Sequence, residues 1–158
     1  MLVIEQDKLL IGWCEWCQLP KLNLPAIKAK IDTGAQTSAL HAFDIRPFCQ
    51  NGQEWVCFSA HPIQGNDEII VECTAEVVGK RHIMSSNGHI EHRYVIKTPL
   101  TLDNQTWDIE ITLSDRDPLK FRMLLGRQAL RKHIIIDPNR ILYQGKIRKD
   151  DLYAMYMK

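Results

Sequence analysis

The chain has 158 residues, of which 45% are hydrophobic and 25% charged, as is typical of one soluble globular domain with its own apolar core. Twenty basic and nineteen acidic residues leave a net charge of +1, so overall charge gives no reason to expect nucleic acid or a membrane as partner. The N-terminal apolar run, residues 9–11, is too short for a signal peptide, and no run approaches the roughly 18 residues of a spanning helix. We therefore expect a cytoplasmic protein that binds neither.

Short segments with period-two alternation dominate the chain and predict strands. Pro20 and Pro25 bracket a predicted loop, because proline disfavours the interior of a sheet. Asn87-Gly88 is a strong hairpin signal, and Asp103-Asn104 predicts a second turn. The predicted strands are residues 9–13, 26–31, 54–63, 67–78, 81–86, 89–96, 94–102, 107–113, 121–126, 134–136 and 140–143.

One internal segment, residues 126–132, has a helical pattern, and the tail 144–158 is compatible with either a short helix or a loose end. We find no internal repeat, low-complexity tract or linker. Strands separated by turn signals about every ten residues predict an all-β fold, either a closed sheet or a sandwich. The whole chain, residues 1–158, is expected to form a single domain.

Asp32-Thr33-Gly34 follows the alternating strand 26–31 and precedes a run of small residues. The simplest interpretation is a turn, since aspartate bonds its own backbone and glycine permits positive φ. The context also suits a carboxylate that must face a second one closely. In that arrangement the Gly34 N–H can bond the acid, and the Thr33 hydroxyl can bond a neighbouring loop.

A second segment, "FRMLLGRQAL" at residues 121–130, is an apolar strand that ends at Gly126 and turns into the predicted helix. Together, "IDTGA" and "LLGRQAL" resemble the two signatures of retropepsin-like aspartic proteases. In that family the first signature carries the catalytic aspartate. The second is a strand that crosses beneath the aspartate and leads into a helix. The resemblance implies a retropepsin-like closed β-barrel with one short helix near the C-terminal third.

The segments "IKAKIDTGAQTSALHA", "SSNGHIEHRYVIKTPLTL" and "MLLGRQAL" also resemble one bacterial family, usually labelled ATP-dependent zinc proteases. That family is associated with ATP-grasp glutamate ligases that modify ribosomal proteins. The resemblance covers residues 11–143 and implies a peripheral tail, 144–158. It also implies a ligase partner and a glutamate-modified peptide or protein as substrate.

The residues themselves do not support the zinc or the ATP in that label. No His-Glu-x-x-His helix and no phosphate-cradling glycine-lysine loop is present. His89 and His92 would point to opposite faces of a strand, and the pair Cys14 and Cys17 has no second pair at finger spacing. The cysteines are five and irregularly spaced, so we expect reduced thiols. We expect no metal and no cofactor.

An aspartic protease needs two carboxylates that share one proton, because like charges that close cannot both ionise cheaply. This chain has a single Asp-Thr-Gly. The hypothesis is therefore a homodimer in which Asp32 of each chain supplies one carboxylate. The alternative is that the added chain length blocks the dimer. The barrel would then be an inactive module that binds an acidic peptide or a ligase, and a zinc hydrolase is a weaker third possibility.

The catalytic set predicted from the resemblance is Asp32, Thr33 and Gly34, and Ala35 is placed with the substrate-binding residues. The Asn87-Gly88 hairpin is either a flap over the substrate or a tip without a role. As a flap, it would bond the substrate backbone through Ser85, Ser86 and Gly88. Arg93 is predicted to contact a substrate carboxylate bidentately, and an ion pair with Glu91 is the alternative.

Overall fold

The computed structural model describes residues 8–84, 88–115, 120–130 and 134–157 of the chain. Strands dominate these ranges, and none of their helices is long and apolar enough to cross a membrane. The elements in chain order are β1 (Leu9–Ile11), β2 (Cys14–Leu19), β3 (Leu24–Asp32), β4 (Ser38–His41), β5 (Phe43–Gln50), β6 (Gln53–Ala60), β7 (Val71–Met84), β8 (Ile90–Leu102), β9 (Gln105–Ser114), β10 (Met123–Gly126), α1 (Arg127–Leu130), β11 (Ile134–Ile136) and α2 (Lys149–Tyr156).

Six of the strands close into a barrel in the order β2-β3-β10-β4-β9-β8. The ring closes because β8 returns to β2, with Thr101 paired to Gln18. β7, β6 and β5 continue outward from β8 as an antiparallel extension. Of the two architectures that the sequence left open, the closed sheet is therefore the one observed.

Side chains that alternate along the strands fill the barrel. In β3, Ile27, Ala29 and Ile31 are buried, whereas the lysines between them reach the outer face. The residues with fully buried side chains include Phe58, Leu40, Ile96, Leu100, Ile111 and Leu113. The alternation of side chains thus determines which residues form the core and which face of β3 points away from it.

The longest strands join segments that the sequence divides. β7 contains most of the predicted strands 67–78 and 81–86, and β8 contains nearly all of 89–96 and 94–102. The predicted hairpin is confirmed by the pairing of Met84 with Ile90. The second turn is confirmed as well, since Leu102 pairs with Gln105.

β2, β4 and β5 have no counterpart among the predicted strands. β2 reads "CEWCQL" and contains a buried glutamate, so it lacks a clean apolar alternation. β5 contains Pro47, which is tolerated because β5 is the last strand of the extension and is paired on one side. These strands form because of tertiary pairing rather than local pattern.

One sequence prediction has a displaced end and one is wrong. The loop predicted between Pro20 and Pro25 does connect β2 and β3, through a short 3-10 turn, Pro20–Leu22, but it ends earlier than predicted because Pro25 already lies within β3. Proline is tolerated there because the neighbouring β10 pairs only with residues 29–32. Residues 140–143 do not form a strand, because β11 pairs in parallel with β1 instead. They bond the β1–β2 corner, where the Leu142 N–H donates to the Cys14 carbonyl at 2.7 Å.

The tail forms α2, which packs against the outside of β3. Its Leu152 is buried with Ala26 and Ile63 in a small second apolar cluster. The Tyr156 hydroxyl donates to the carbonyl of Ala26. Burial raises the pKa of Tyr156 to about 12, so this hydroxyl keeps its proton at neutral pH. α2 therefore covers the end of β3 farthest from Asp32.

Glu15 is a fully buried carboxylate in β2 that ties distant parts of the chain together. Its Oε2 accepts hydrogen bonds from the N–H groups of Gly12 and Tyr143, both at 2.7 Å. Its Oε1 accepts a third, at 3.0 Å, from the N–H of Gln144. A charged acceptor with three backbone donors offsets the cost of burying the charge. The segment before α2 is thereby fixed to the barrel.

Replacing Glu15 with alanine leaves these three backbone N–H groups without their acceptor. We expect the free energy of unfolding to fall by about 3 kcal/mol or more, since each unmet buried donor costs about 1–3 kcal/mol. Urea denaturation followed by tryptophan fluorescence measures the change. Glu68→Ala, at an exposed side chain, is the matched control. Equal effects of the two substitutions would contradict the role assigned to Glu15.

Candidate functional site

Asp32 ends β3, where the chain enters a tight turn. Its Oδ1 accepts a hydrogen bond from the Gly34 N–H at 3.0 Å, as the sequence predicts. Its carbonyl oxygen accepts another from the Ala35 N–H at 3.2 Å. The residue is half-buried, so the turn orients the carboxylate while solvent still reaches it. A carboxylate held in this way can accept a proton from a bound water.

Gly126 determines how closely the strand β10 approaches this turn. β10 runs parallel to β3, with Gly126 opposite Asp32. A Cβ on Gly126 would lie 2.6 Å from both the carbonyl carbon and the oxygen of Thr37, so only glycine fits. The Gly126 N–H donates to Ser38 Oγ at 3.1 Å. The end of β10 therefore supports the Asp32 turn through backbone contact.

α1 continues this support on the other side of the turn. The backbone N–H of Arg127 donates to the Ala35 carbonyl at 2.8 Å, and that of Gln128 donates to the Gln36 carbonyl at 3.1 Å. The Arg127 guanidinium also donates to the carbonyls of Thr33 and Gly34, at 3.4 and 3.2 Å. Thr33, Gly34 and Ala35 are thus brought together beside Asp32.

The β7–β8 hairpin is the predicted flap. Ser85 and Ser86 lie outside the described residues, so their predicted contacts stay predictions. Gly88 is described, is exposed and has φ +86°, which suits glycine in a tight turn. The last described strand pair before the tip is apolar and exposed, with Met84 69% and Ile90 58% exposed.

Arg93 forms the ion pair that the sequence offered as the alternative to a substrate contact. Its Nη2 lies 2.9 Å from Glu91 Oε2, and Ser114 Oγ donates to the other oxygen of Glu91 at 3.1 Å. The Arg93 side chain is only 13% exposed. Its guanidinium is therefore partly engaged within the protein, and its predicted contact with substrate stays a prediction.

Two lysines on the outer face of β3 were not identified from the sequence as candidate site residues. The alternation A-I-K-A-K-I-D places Lys28, Lys30 and Asp32 on one face, and that pattern could have identified them. Burial and the charge of Glu15 raise the pKa of the Cys14 thiol, which lies opposite Lys30, whereas the charges of Lys28 and Lys120 lower it. Two lysines thus lie on this face of a protein that is nearly neutral overall.

No three histidine, cysteine, aspartate or glutamate side chains in the described ranges come together in a way that could hold a metal ion. His92 lies opposite His82 on the hairpin, with ring centroids 4.2 Å apart, and His89 precedes the strand. Cys14 and Cys17 are both buried free thiols, and the Cys17 thiol donates to the Ile27 carbonyl at 3.4 Å. Burial raises the Cys17 pKa to about 12.

Comparison with known proteins identifies related sequences. A family model described as "RimB-like: Retropepsin-like aspartic endopeptidase RimB" matches residues 10–146. A Desulfotalea psychrophila protein named "Probable alpha-L-glutamate ligase" is 47% identical over 157 residues, which are 98% of this chain and 34% of that protein. A Shewanella halifaxensis protein of the same name is 43% identical over 153 residues, 97% of this chain and 33% of the relative. The chain thus spans about a third of the length of these curated relatives.

A solved structure has a similar fold. The Legionella pneumophila protein Lpg0085, whose function is unknown, aligns with a TM-score of 0.72 at 24% identity, covering 85% of this chain and 96% of that one. At this identity the likeness concerns the fold alone. The mostly-β closed barrel, with a short helix directly after β10, confirms the retropepsin-like fold that the resemblance implied.

Replacing Gly126 with alanine tests the support beneath the Asp32 turn. The new Cβ would clash with the backbone at Thr37, which cannot move aside as a flexible side chain can. We expect the free energy of unfolding to fall by about 2 kcal/mol or more, as in other overpacked sites. Thermal and urea denaturation measure it. Gly79→Ala is the matched control, because a Cβ there meets nothing within 4 Å. A G126A protein as stable as G79A would refute the close contact.

Proposed function

The chain belongs to the RimB-like family of retropepsin-like aspartic endopeptidases, and from this premise we propose that it is an aspartic peptidase that hydrolyses peptide bonds with a water activated by Asp32. The observation that carries the proposal is the Asp32 turn. Its carboxylate is oriented by the Gly34 N–H and supported from below by the glycine that ends β10. We also propose that residues 1–158 act as one domain.

The mechanism needs a second carboxylate close to the first. The ionised carboxylate takes a proton from the water, which attacks the amide carbonyl. The protonated carboxyl hydrogen-bonds the carbonyl oxygen and then helps to protonate the leaving nitrogen. Because the two groups share one proton, they titrate as a unit.

We propose that this second carboxylate is Asp32 of a twin chain. The sequence has one Asp-Thr-Gly, and an isologous two-fold dimer brings identical residues together at its axis. Asp32 lies at the end of its strand, at the rim of the barrel, where such an approach leaves the core undisturbed. In the dimer, Thr33 and Gly34 hold the two turns in register.

We infer that the substrate is a protein tail rich in glutamate. The relatives are named as glutamate ligases and are about three times as long as this chain, so in them a similar stretch is joined to further sequence. That arrangement suits a peptidase that acts beside a cytoplasmic ATP-grasp ligase on the same tails. Lys30, two residues before Asp32 on the same face, suits a glutamate side chain. Arg93 remains a second candidate for that contact.

The β7–β8 hairpin would close over the bound peptide as a flap. Gly88 and the neighbouring Ser85 and Ser86 would bond the substrate backbone, and Ala35 would line the floor beside Asp32. The exposed Met84 and Ile90 would cover the cleft and exclude water from the reaction. The rival function, a module that binds acidic peptides without hydrolysis, is favoured by the single Asp-Thr-Gly and needs no dimer.

Replacing Asp32 with asparagine keeps the size of the side chain and removes the proton acceptor. We expect the hydrolysis rate of a peptide with an oligoglutamate tail to fall by about 100-fold or more. Mass spectrometry of the products measures the rate. Asp103→Asn, in an exposed turn where asparagine tolerates the positive φ, is the matched control and should keep full activity. Hydrolysis that survives in D32N would refute the role of Asp32, whereas no hydrolysis by the intact protein would leave the rival binding function.

Mixing intact and D32N chains tests where the second carboxylate originates. If each site needs one Asp32 from each chain, intact chains that pair with D32N chains become inactive. With a threefold excess of D32N and full subunit exchange, about a quarter of the initial activity should remain. The rate is measured as before, with serum albumin in place of D32N as the control. Activity that does not fall would mean that each chain works alone.

A further inference from the structure

A cavity of about 300 Å³ lies between β2, β3, the loop at residues 62–65 and the C-terminal helix with the residue Ile147 before it. We call it the lysine pocket and define it by Trp16, Lys28, Gln64, Lys149 and Tyr153, which line it together with apolar neighbours. Trp16 pairs with Lys28 across β2 and β3, on the outer face of the barrel. Lys149 and Tyr153 come from α2. The pocket thus exists because the tail packs on β3.

Two buried donors of the pocket have no acceptor. Trp16 Nε1 and Gln64 Nε2 are both inaccessible to solvent, and neither has a hydrogen-bond partner in the part of the chain that the structure describes. A buried polar group without a partner costs about 1–3 kcal/mol. Both donors belong to residues that line the cavity, and a small rotation of either side chain would bring its N–H into contact with an acceptor bound there.

The charge of the pocket gives the sign of that acceptor. Lys28 extends over the Trp16 ring, with its Nζ 5.1 Å from the centroid, and Lys149 lies over the Tyr153 ring at 5.7 Å. In the described ranges neither lysine forms an ion pair, and no carboxylate lines the cavity. The pocket therefore combines two ammonium groups with two neutral N–H donors, a set that matches a carboxylate.

The pocket lies on the strand that carries the proposed catalytic aspartate. Lys28 and Asp32 are four residues apart on one face of β3, which corresponds to about 13 Å in a strand. Lys30, exposed, lies between them. An extended peptide of about four residues spans the same distance, so its carboxylates can meet Lys28 and Lys30 while its backbone reaches Asp32.

We propose that the lysine pocket is a binding site for a glutamate carboxylate of an acidic peptide, and that it anchors the tail at a distance from Asp32. The role in anchoring a substrate rests on the proposed function. The binding itself does not, since it needs no hydrolysis. The pocket differs from the turn at Asp32 in its residues and in its position on β3.

The test measures binding of hexaglutamate to the D32N protein, in which hydrolysis does not interfere. We expect the Trp16 indole N–H resonance, assigned with Trp16→Phe, to shift as hexaglutamate is added, and hexaglutamine to leave it in place. Lys28→Gln and Lys149→Gln, each made in D32N, should weaken binding about fivefold. Lys21→Gln is the matched control, because it removes the same charge at an exposed position outside the pocket.

Three outcomes would overturn the proposal: equal weakening by K21Q and the pocket variants, a Trp16 resonance that stays fixed at saturating peptide, or no binding at millimolar peptide. Inorganic phosphate that moves the resonance as far as hexaglutamate would identify a site for small anions and refute the peptide. Binding as expected without any cleavage by the intact protein would refute the proposed function and leave this site. Cleavage that is unchanged by K28Q and K149Q, each made in the chain that keeps Asp32, would refute the anchoring role and leave the proposed function.

Discussion

The backbone contact between Gly126 and the segment after Asp32 is the constraint on which the candidate site depends. Two parallel strands, β3 and β10, end side by side, and the loop after β3 must pass over the end of β10 at a distance that leaves no room for a Cβ. The backbone N–H groups of Arg127 and Gln128 donate to the loop, the Gly126 N–H donates to the Ser38 hydroxyl, and the Arg127 guanidinium donates to the carbonyls of Thr33 and Gly34. Main-chain geometry therefore sets how closely β10 approaches the loop, and one arginine side chain adds to its support.

A second constraint acts on β2, which pairs with β3 and places Glu15 opposite Ala29. The Glu15 carboxylate binds the backbone at Gly12 and at residues 143–144, so the chain after β11 is held against the barrel although it forms no strand there. From this anchored point the chain leads into α2, whose Tyr156 bonds the backbone of Ala26. One buried acid thus determines where the C-terminal helix packs, and with it the shape of the cavity at Lys28.

The sequence predicts those parts of the fold whose own residues specify a turn, a strand end or a helix. The Asp32 turn, the glycine ending β10, the β7–β8 hairpin and the helix after β10 each carry their own turn or breaker residues. β2, β4 and β5 could not be found in this way, because β2 buries a glutamate and β5 contains a proline on an edge. The ion pair of Arg93 was available as an alternative, since residues two apart share a strand face. The lysine pocket was not predictable, because Lys149 and Gln64 are brought to Lys28 only by the tertiary fold.

The charge on one face of β3 also differs from the net charge of the protein. A net charge of +1 suggests a surface without preference, yet the outer face of β3 carries two lysines without a carboxylate between them until Asp32. Charges screened beyond about 8–10 Å act locally, so a peptide on this face meets the lysines and not the average of the protein. An aspartic dyad needs a second carboxylate within hydrogen-bonding distance of the first, because the two share one proton. The proposed hydrolysis therefore depends on assembly, whereas the proposed binding of an acidic chain to the lysines does not.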